Sequence, residues 1–217
     1  MSDELKKRIY TGLCLLLILA FMFVSKIVYL YIVIIIFAFS FIEFSKISKI
    51  IFKKKRVYFI LSNYLFLIYL SIFFLILILA INNTHLKLML FLIILVCVAS
   101  DIGGITVGKL FQGPKLTKIS PNKTVSGSIG SFLFSVLISY FLFKGVFLFE
   151  NIQILAIGII ISLSVQAGDL FFSFLKRKAN IKNTGKILPG HGGLLDRIDG
   201  ILIGIPIGLL TLILILF

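Results

Sequence analysis

Seven apolar stretches dominate this sequence, at about residues 9–25, 27–44, 57–81, 87–107, 128–148, 152–174 and 198–217. An α-helix of about 20 residues spans the hydrocarbon core of a bilayer. A lipid-exposed backbone must satisfy its polar groups within its own segment, so each stretch is expected to be a membrane helix. Only Ser25 and Lys26 separate the first two, which predicts a tight helical hairpin. The hydrophobic share of 60% closes off the soluble alternative, because a single core of this size cannot cover that much apolar surface. The expected fold is an all-α, polytopic membrane helix bundle of about seven helices, with a range of six to eight. The domain reading is an N-terminal helical hairpin over 1–56, then a membrane-embedded region over 57–217 with polar loops at 109–126 and 176–199.

The chain carries a net charge of +14. On a soluble protein that excess would suggest nucleic acid, but membrane proteins concentrate Lys and Arg in their cytoplasmic loops. With the N-terminus inside and seven alternating spans, 19 of the 22 basic residues fall on the cytoplasmic side, leaving only Lys26, Lys87 and Lys144 outside. The asymmetry accounts for the charge without nucleic acid and predicts a cytoplasmic N-terminus. The basic start (Lys6, Lys7, Arg8) resembles a signal peptide. No small-residue cleavage site follows, so an uncleaved first helix is expected. Cys14 and Cys97 lie in apolar runs without metal-type spacing.

The eight acids are more informative. Asp3, Glu4, Glu43 and Glu150 read as terminal, span-end and loop residues. Asp101, Asp169, Asp196 and Asp199 converge on the cytoplasmic ends of the spans, where a carboxylate near membrane depth defaults to a functional role. Asp196 and Asp199, spaced i, i+3, share one face of a helix. Hard oxygen donors beside basic side chains suit Mg²⁺ held together with a phosphate-bearing substrate. Zinc would want additional His or Cys, and His191 alone does not supply them. Two glycine- and lysine-bearing stretches complete the pattern. The first runs from Ser100-Asp101 through Gly103, Gly104, Gly108-Lys109 and Gly113 to Ser120-Pro121-Asn122-Lys123-Thr124 and Gly127. The second runs from Gly168-Asp169-Leu170 through Ser173, Lys176-Arg177 and Lys182 to Pro189-Gly190-His191-Gly192-Gly193 and Asp196-Arg197-Ile198-Asp199. Neither has the spacing of a Walker loop.

The second stretch, with Ser120-Pro121-x-Lys123-Thr124 and Gly168-Asp169-Leu170, resembles the signature of the phosphatidate cytidylyltransferase (CDP-diglyceride synthetase) family. The likeness extends over roughly 57–217. It implies an integral membrane enzyme that joins CTP to phosphatidic acid, giving CDP-diacylglycerol and pyrophosphate in phospholipid biosynthesis. It also implies dependence on Mg²⁺, with room for a second cation, and residence in a bacterial inner (cell) membrane with the active site facing the cytoplasm. On that resemblance Asp169, Asp196 and Asp199 hold the metal. Lys176, Arg177, Lys182 and Arg197 hold phosphates, and His191 orients a phosphate or moves a proton. Asp101, Lys109, Ser120, Lys123, Thr124, Gly192 and Gly193 line the substrate. The partners are CTP, phosphatidic acid and the lipid bilayer, with homodimerisation left open. Two positions depart from the family pattern: Asn183 stands where Asp is usual after the signature lysine, and Phe172 where an acid is frequent. The chain is also short for the family, which implies fewer N-terminal spans. The competing readings are a CTP-dependent lipid kinase of the dolichol kinase type, against which the complete PGHGG-x-x-DRxD run argues, and a non-catalytic transporter or scaffold.

Overall fold

The computed structural model describes residues 25–147, 149–185, 187 and 192–216. It holds six helices: α1 (Lys26–Ile51), α2 (Arg56–Leu79), α3 (Thr84–Phe111), α4 (Val125–Lys144), α5 (Asn151–Lys178) and α6 (Leu195–Leu216). All six are long and apolar enough to cross a membrane, and the protein is an integral membrane protein. The expected span over 9–25 lies outside the described residues. The other six expected spans each correspond to one helix.

The helices outrun the apolar stretches that announced them. Ser100–Lys109, expected partly as a polar loop, is the last third of α3, and Lys176–Lys178 is the last turn of α5. Asp196 and Asp199, expected in a loop at the mouth of the final span, lie within α6. The polar loops are therefore 112–124 and 179–194, shorter than 109–126 and 176–199. The physical reason is that hydropathy falls at the membrane surface while the backbone goes on forming i→i−4 hydrogen bonds, and basic side chains suit a helix C-terminus.

The chain divides into two compact units, one of residues up to Thr84 with Leu175–Ile198, the other of His85–Phe174 with Asp199–Phe217. In the first, α1 and α2 form an antiparallel hairpin. Its register is read from the Tyr29 hydroxyl donating to the Leu77 carbonyl at 2.8 Å, the Phe44 and Phe66 rings stacked at 3.8 Å, and the Ser48 and Ser62 hydroxyls bonded at 2.6 Å.

The second unit is held together by small residues. A Cβ on Gly127 of α4 would lie 2.7 Å from the Gly104 carbonyl oxygen of α3, and one on Gly158 of α5 would lie 2.8 Å from the Val136 Cα of α4. Along α6, Gly200, Gly204 and Gly208 recur every fourth residue. A Cβ there would meet Val165 Cγ1 at 2.8 Å, Cys97 Sγ at 2.8 Å and Ile93 Cγ2 at 3.0 Å respectively. Lipid tails are as apolar as leucine, so helices associate in a bilayer by close backbone packing and polar contacts, which these residues permit. Buried and half-buried polar contacts add to it. Ser128 donates to the Gln166 Oε1 at 2.5 Å, Gln166 Nε2 donates to Ser162 at 3.1 Å, and Ser162 bonds Ser100 at 3.0 Å.

Candidate active site

In the second unit the 112–124 loop is a short hairpin. Gly113 takes a φ of 114°, a left-handed value that favours glycine. Lys115 pairs with Thr124, and Lys123 N–H donates to the Ser120 carbonyl at 3.0 Å, closing a β-turn with Pro121 at its second position. Proline's fixed φ suits that position. Thr124 then caps α4, accepting from Gly127 N–H at 3.1 Å. This local order delivers the Lys123 ammonium to Asp169 Oδ2 of α5 at 2.7 Å, with side chains 28% and 22% exposed.

Asp169 sits where α5 and α6 approach most closely. A Cβ on Gly168 would lie 2.6 Å from the Asp199 carbonyl oxygen, and one on Gly200 would lie 3.2 Å from Asp169 Oδ1. The absence of side chains at 168 and 200 thus brings Asp169 beside the start of the Asp199–Gly200 step. Asp199 Oδ1 accepts from its neighbour Gly200 N–H at 3.0 Å. Asp101, partly buried, is one helix α3 residue beyond the Ser100–Ser162 bond, and Lys109 is exposed in the last turn of α3.

The first unit holds a second cluster. Lys176 Nζ donates to Asp196 Oδ1 at 2.7 Å, with side chains 14% and 8% exposed. Asp196 Oδ2 accepts from Thr184 N–H at 2.8 Å and from Gly193 N–H at 3.1 Å, and the Thr184 hydroxyl oxygen lies 3.1 Å away. Three donors around one carboxylate, Lys176 and the Thr184 and Gly193 N–H groups, tie Asp196 to the 179–194 loop. Gly192 has a φ of 87°, and a Cβ there would lie 3.0 Å from Asp196 Oδ2 and 3.2 Å from Asn183 Cγ. Position 183 therefore borders the same carboxylate. Arg177, Lys182 and Arg197 are exposed. Ser120 is part of the hairpin turn, and His191 lies outside the described residues.

Residues that the sequence reading passed over also belong to these clusters. Glu43 of α1 is fully buried and accepts from the Thr184 hydroxyl at 2.7 Å, Leu195 N–H at 2.8 Å and Leu194 N–H at 3.1 Å. Read along the chain it is only the acid that ends a span. Thr184 and Gln166 were missed for the same reason, since their partners are far away in sequence. Phe172, one of the two departures from the family pattern, is buried, at 2% exposure.

A divalent cation is implied by the resemblance, and the donor set tests it. Asp169 and Asp199 supply oxygen only, on two helices whose backbones meet at Gly168 and Gly200, which fits a hard cation that completes its shell with water and phosphate oxygens. Among the described residues, no three His, Cys, Asp or Glu side chains converge into a ready-made metal shell.

Comparison with known proteins agrees with this architecture. The model of the cytidylyltransferase family matches residues 9–215, and the chain belongs to that family. Among curated relatives, a phosphatidate cytidylyltransferase of Helicobacter pylori is 40% identical over 112 residues, 52% of this chain and 42% of that protein. One from Rickettsia typhi is 44% identical over 108 residues, 46% and 47% of the two chains. One from Rickettsia prowazekii is 40% identical over 134 residues, 58% of each. The chain thus spans about half the length of the curated relatives it matches.

Proposed function

We propose that this protein is a phosphatidate cytidylyltransferase, transferring CMP from CTP to phosphatidic acid to give CDP-diacylglycerol and pyrophosphate. The observation that carries the reading is Asp169, with Oδ2 held by Lys123 and Oδ1 against Gly200, beside Asp199. An acid–base constellation at the end of two membrane helices is suited to a substrate whose phosphate sits at the bilayer surface. The relatives' printed names and the family match support the same choice of substrates.

In the reaction, a phosphate oxygen of phosphatidic acid attacks the α-phosphorus of CTP. The bond from that phosphorus to the bridging oxygen breaks, and pyrophosphate departs with the electron pair. Both reactants are anionic, so the site must neutralise repulsion and the charge that develops on the leaving group. Asp169 and Asp199 would hold Mg²⁺, which when bound supplies electrostatic stabilisation of phosphoryl oxygens. Lys123, whose ammonium lies 2.7 Å from Asp169, would supply positive charge for a phosphate. In the first unit, Lys176, Arg177, Lys182 and Arg197 are the phosphate-holding residues that the family resemblance implies. Asp196 steadies the loop that bears Lys182 and holds Lys176 at 2.7 Å. His191 serves to orient a phosphate or carry a proton. The basic loops and this site are assigned to the cytoplasmic face of the inner membrane, where CTP is found.

The test is a product assay with the purified chain, CTP, phosphatidic acid and Mg²⁺. CDP-diacylglycerol as the lipid product supports the reading. Phosphorylation of a lipid alcohol instead would assign a lipid kinase, and no nucleotide consumption would assign a non-catalytic membrane protein.

A further inference from the structure

Glu43 stands out among the groups that the proposed chemistry does not use. It is a carboxylate on a membrane helix, fully buried, about two turns before the end of α1. A buried carboxylate is costly unless donors surround it. Its donors come from a segment about 140 to 150 residues away: the Thr184 hydroxyl and the N–H groups of Leu194 and Leu195. Those two N–H groups open α6, whose first turn has no intrahelical acceptors for them, and negative charge there is favourable. Glu43 therefore caps α6 from another helix. This one side chain thus ties Thr184, within the 179–194 loop, to the loop's C-terminal end.

The loop is shaped around it. A Cβ on Gly193 would lie 2.7 Å from Glu43 Oε1, and one on Gly185 would lie 3.1 Å from Glu43 Cδ. Any side chain at either position would push the carboxylate out. Thr184 links Glu43 to the ion pair. Its hydroxyl has one proton and lies 2.7 Å from Glu43 Oε2 and 3.1 Å from Asp196 Oδ2. The shorter bond gives that proton to Glu43, which fixes the Thr184 rotamer and leaves Thr184 N–H aimed at Asp196. The placement of Asp196, and of the Lys176 ammonium bound to it, follows from that.

We infer that Glu43 is a positioning residue for the Lys176–Asp196 pair, acting through Thr184 and the first turn of α6. For its kinetic part the inference rests on the cytidylyltransferase reading. The experiment compares the full chain in detergent micelles with Glu43→Ala, Glu43→Gln and Thr184→Val. Hydrogen–deuterium exchange is followed on peptides covering 184–195, with α3 peptides as internal reference, and KM for CTP and kcat are measured in parallel. Glu43→Ala is expected to speed exchange of the Leu194 and Leu195 amides at least tenfold while α3 is unchanged, and to raise KM for CTP at least fivefold. A smaller folded fraction lowers kcat but cannot raise KM. Glu43→Gln keeps one acceptor oxygen and should recover part of both effects. Thr184→Val, which keeps its N–H, should raise KM while leaving Leu194 and Leu195 protected. Unchanged amide exchange in Glu43→Ala overturns the capping role, and an unchanged KM overturns the positioning role. If the wild-type chain makes no CDP-diacylglycerol, the functional reading fails, and the exchange arm still decides whether Glu43 holds the loop.

Discussion

Asp196→Asn is the most informative single change. The native carboxylate takes Lys176 on Oδ1 and the Thr184 and Gly193 N–H groups on Oδ2. The amide has one acceptor oxygen. Turned to keep Thr184 and Gly193, it points its NH₂ at the Lys176 ammonium; turned to keep Lys176, it points its NH₂ at two backbone N–H groups. Either way one charge-assisted hydrogen bond is lost, worth about 1.5–3 kcal/mol. The pair is 14% and 8% exposed, so solvent screens little of this. At 1.36 kcal/mol per decade, loop opening should become about ten- to 150-fold more frequent. Two readouts follow: faster exchange across 184–195, and loss of most CDP-diacylglycerol synthesis with membrane insertion intact. Lys176→Met, which leaves Asp196 with its two backbone N–H donors, should disturb the loop less than Asp196→Asn while still lowering activity. Wild-type turnover together with wild-type exchange in Asp196→Asn would refute the role given to this carboxylate.

Asp169→Asn should remove most activity and weaken the Mg²⁺ requirement's saturation, measured as the midpoint of a Mg²⁺ titration, while chelation of the cation should abolish turnover reversibly in the wild type. Asn183→Asp should leave the Mg²⁺ midpoint within a few-fold, because position 183 borders Asp196 and Gly192 in the loop; a tenfold shift would put it in the cation shell. Gly127→Val should lower thermal stability through a clash with Gly104, by about 1–3 kcal/mol for an overpacked contact, read as a fall in the melting midpoint of the detergent-solubilised protein. Cysteines at Asn122 and Asn183 should react with an impermeant thiol reagent from the cytoplasmic side and one at Asn82 from the other, and labelling of Asn82 and Asn183 from the same side would break the alternation of spans.

The helices were legible because apolar length is a strong signal and because only a regular helix satisfies the backbone in lipid. Their ends were not, since α3 and α5 carry on through Asp101–Lys109 and Lys176–Lys178 after hydropathy has fallen. Asp169 and Asp196 stood out because charged residues at the ends of apolar spans are few. What a linear reading could not supply was their partners. Lys123 meets Asp169 across 46 residues, and Glu43 meets Thr184 across 141. One signal was present and unused: Gly200, Gly204 and Gly208 repeat every four residues, a pattern that marks a close helix-packing face. Of the glycines in the first glycine- and lysine-bearing stretch, Gly103, Gly104 and Gly108 lie in α3 and pack against the start of α4.

The central claim is transfer of a cytidylyl group to a lipid phosphate, and the fate of each CTP phosphorus tests it most directly. Purified protein is incubated with Mg²⁺, phosphatidic acid and CTP labelled in parallel reactions at the α- or the γ-phosphorus. The account predicts that α-label enters the lipid fraction and that γ-label is released as pyrophosphate in equal amount. Entry of γ-label into lipid, with CDP left in the aqueous phase, would contradict it.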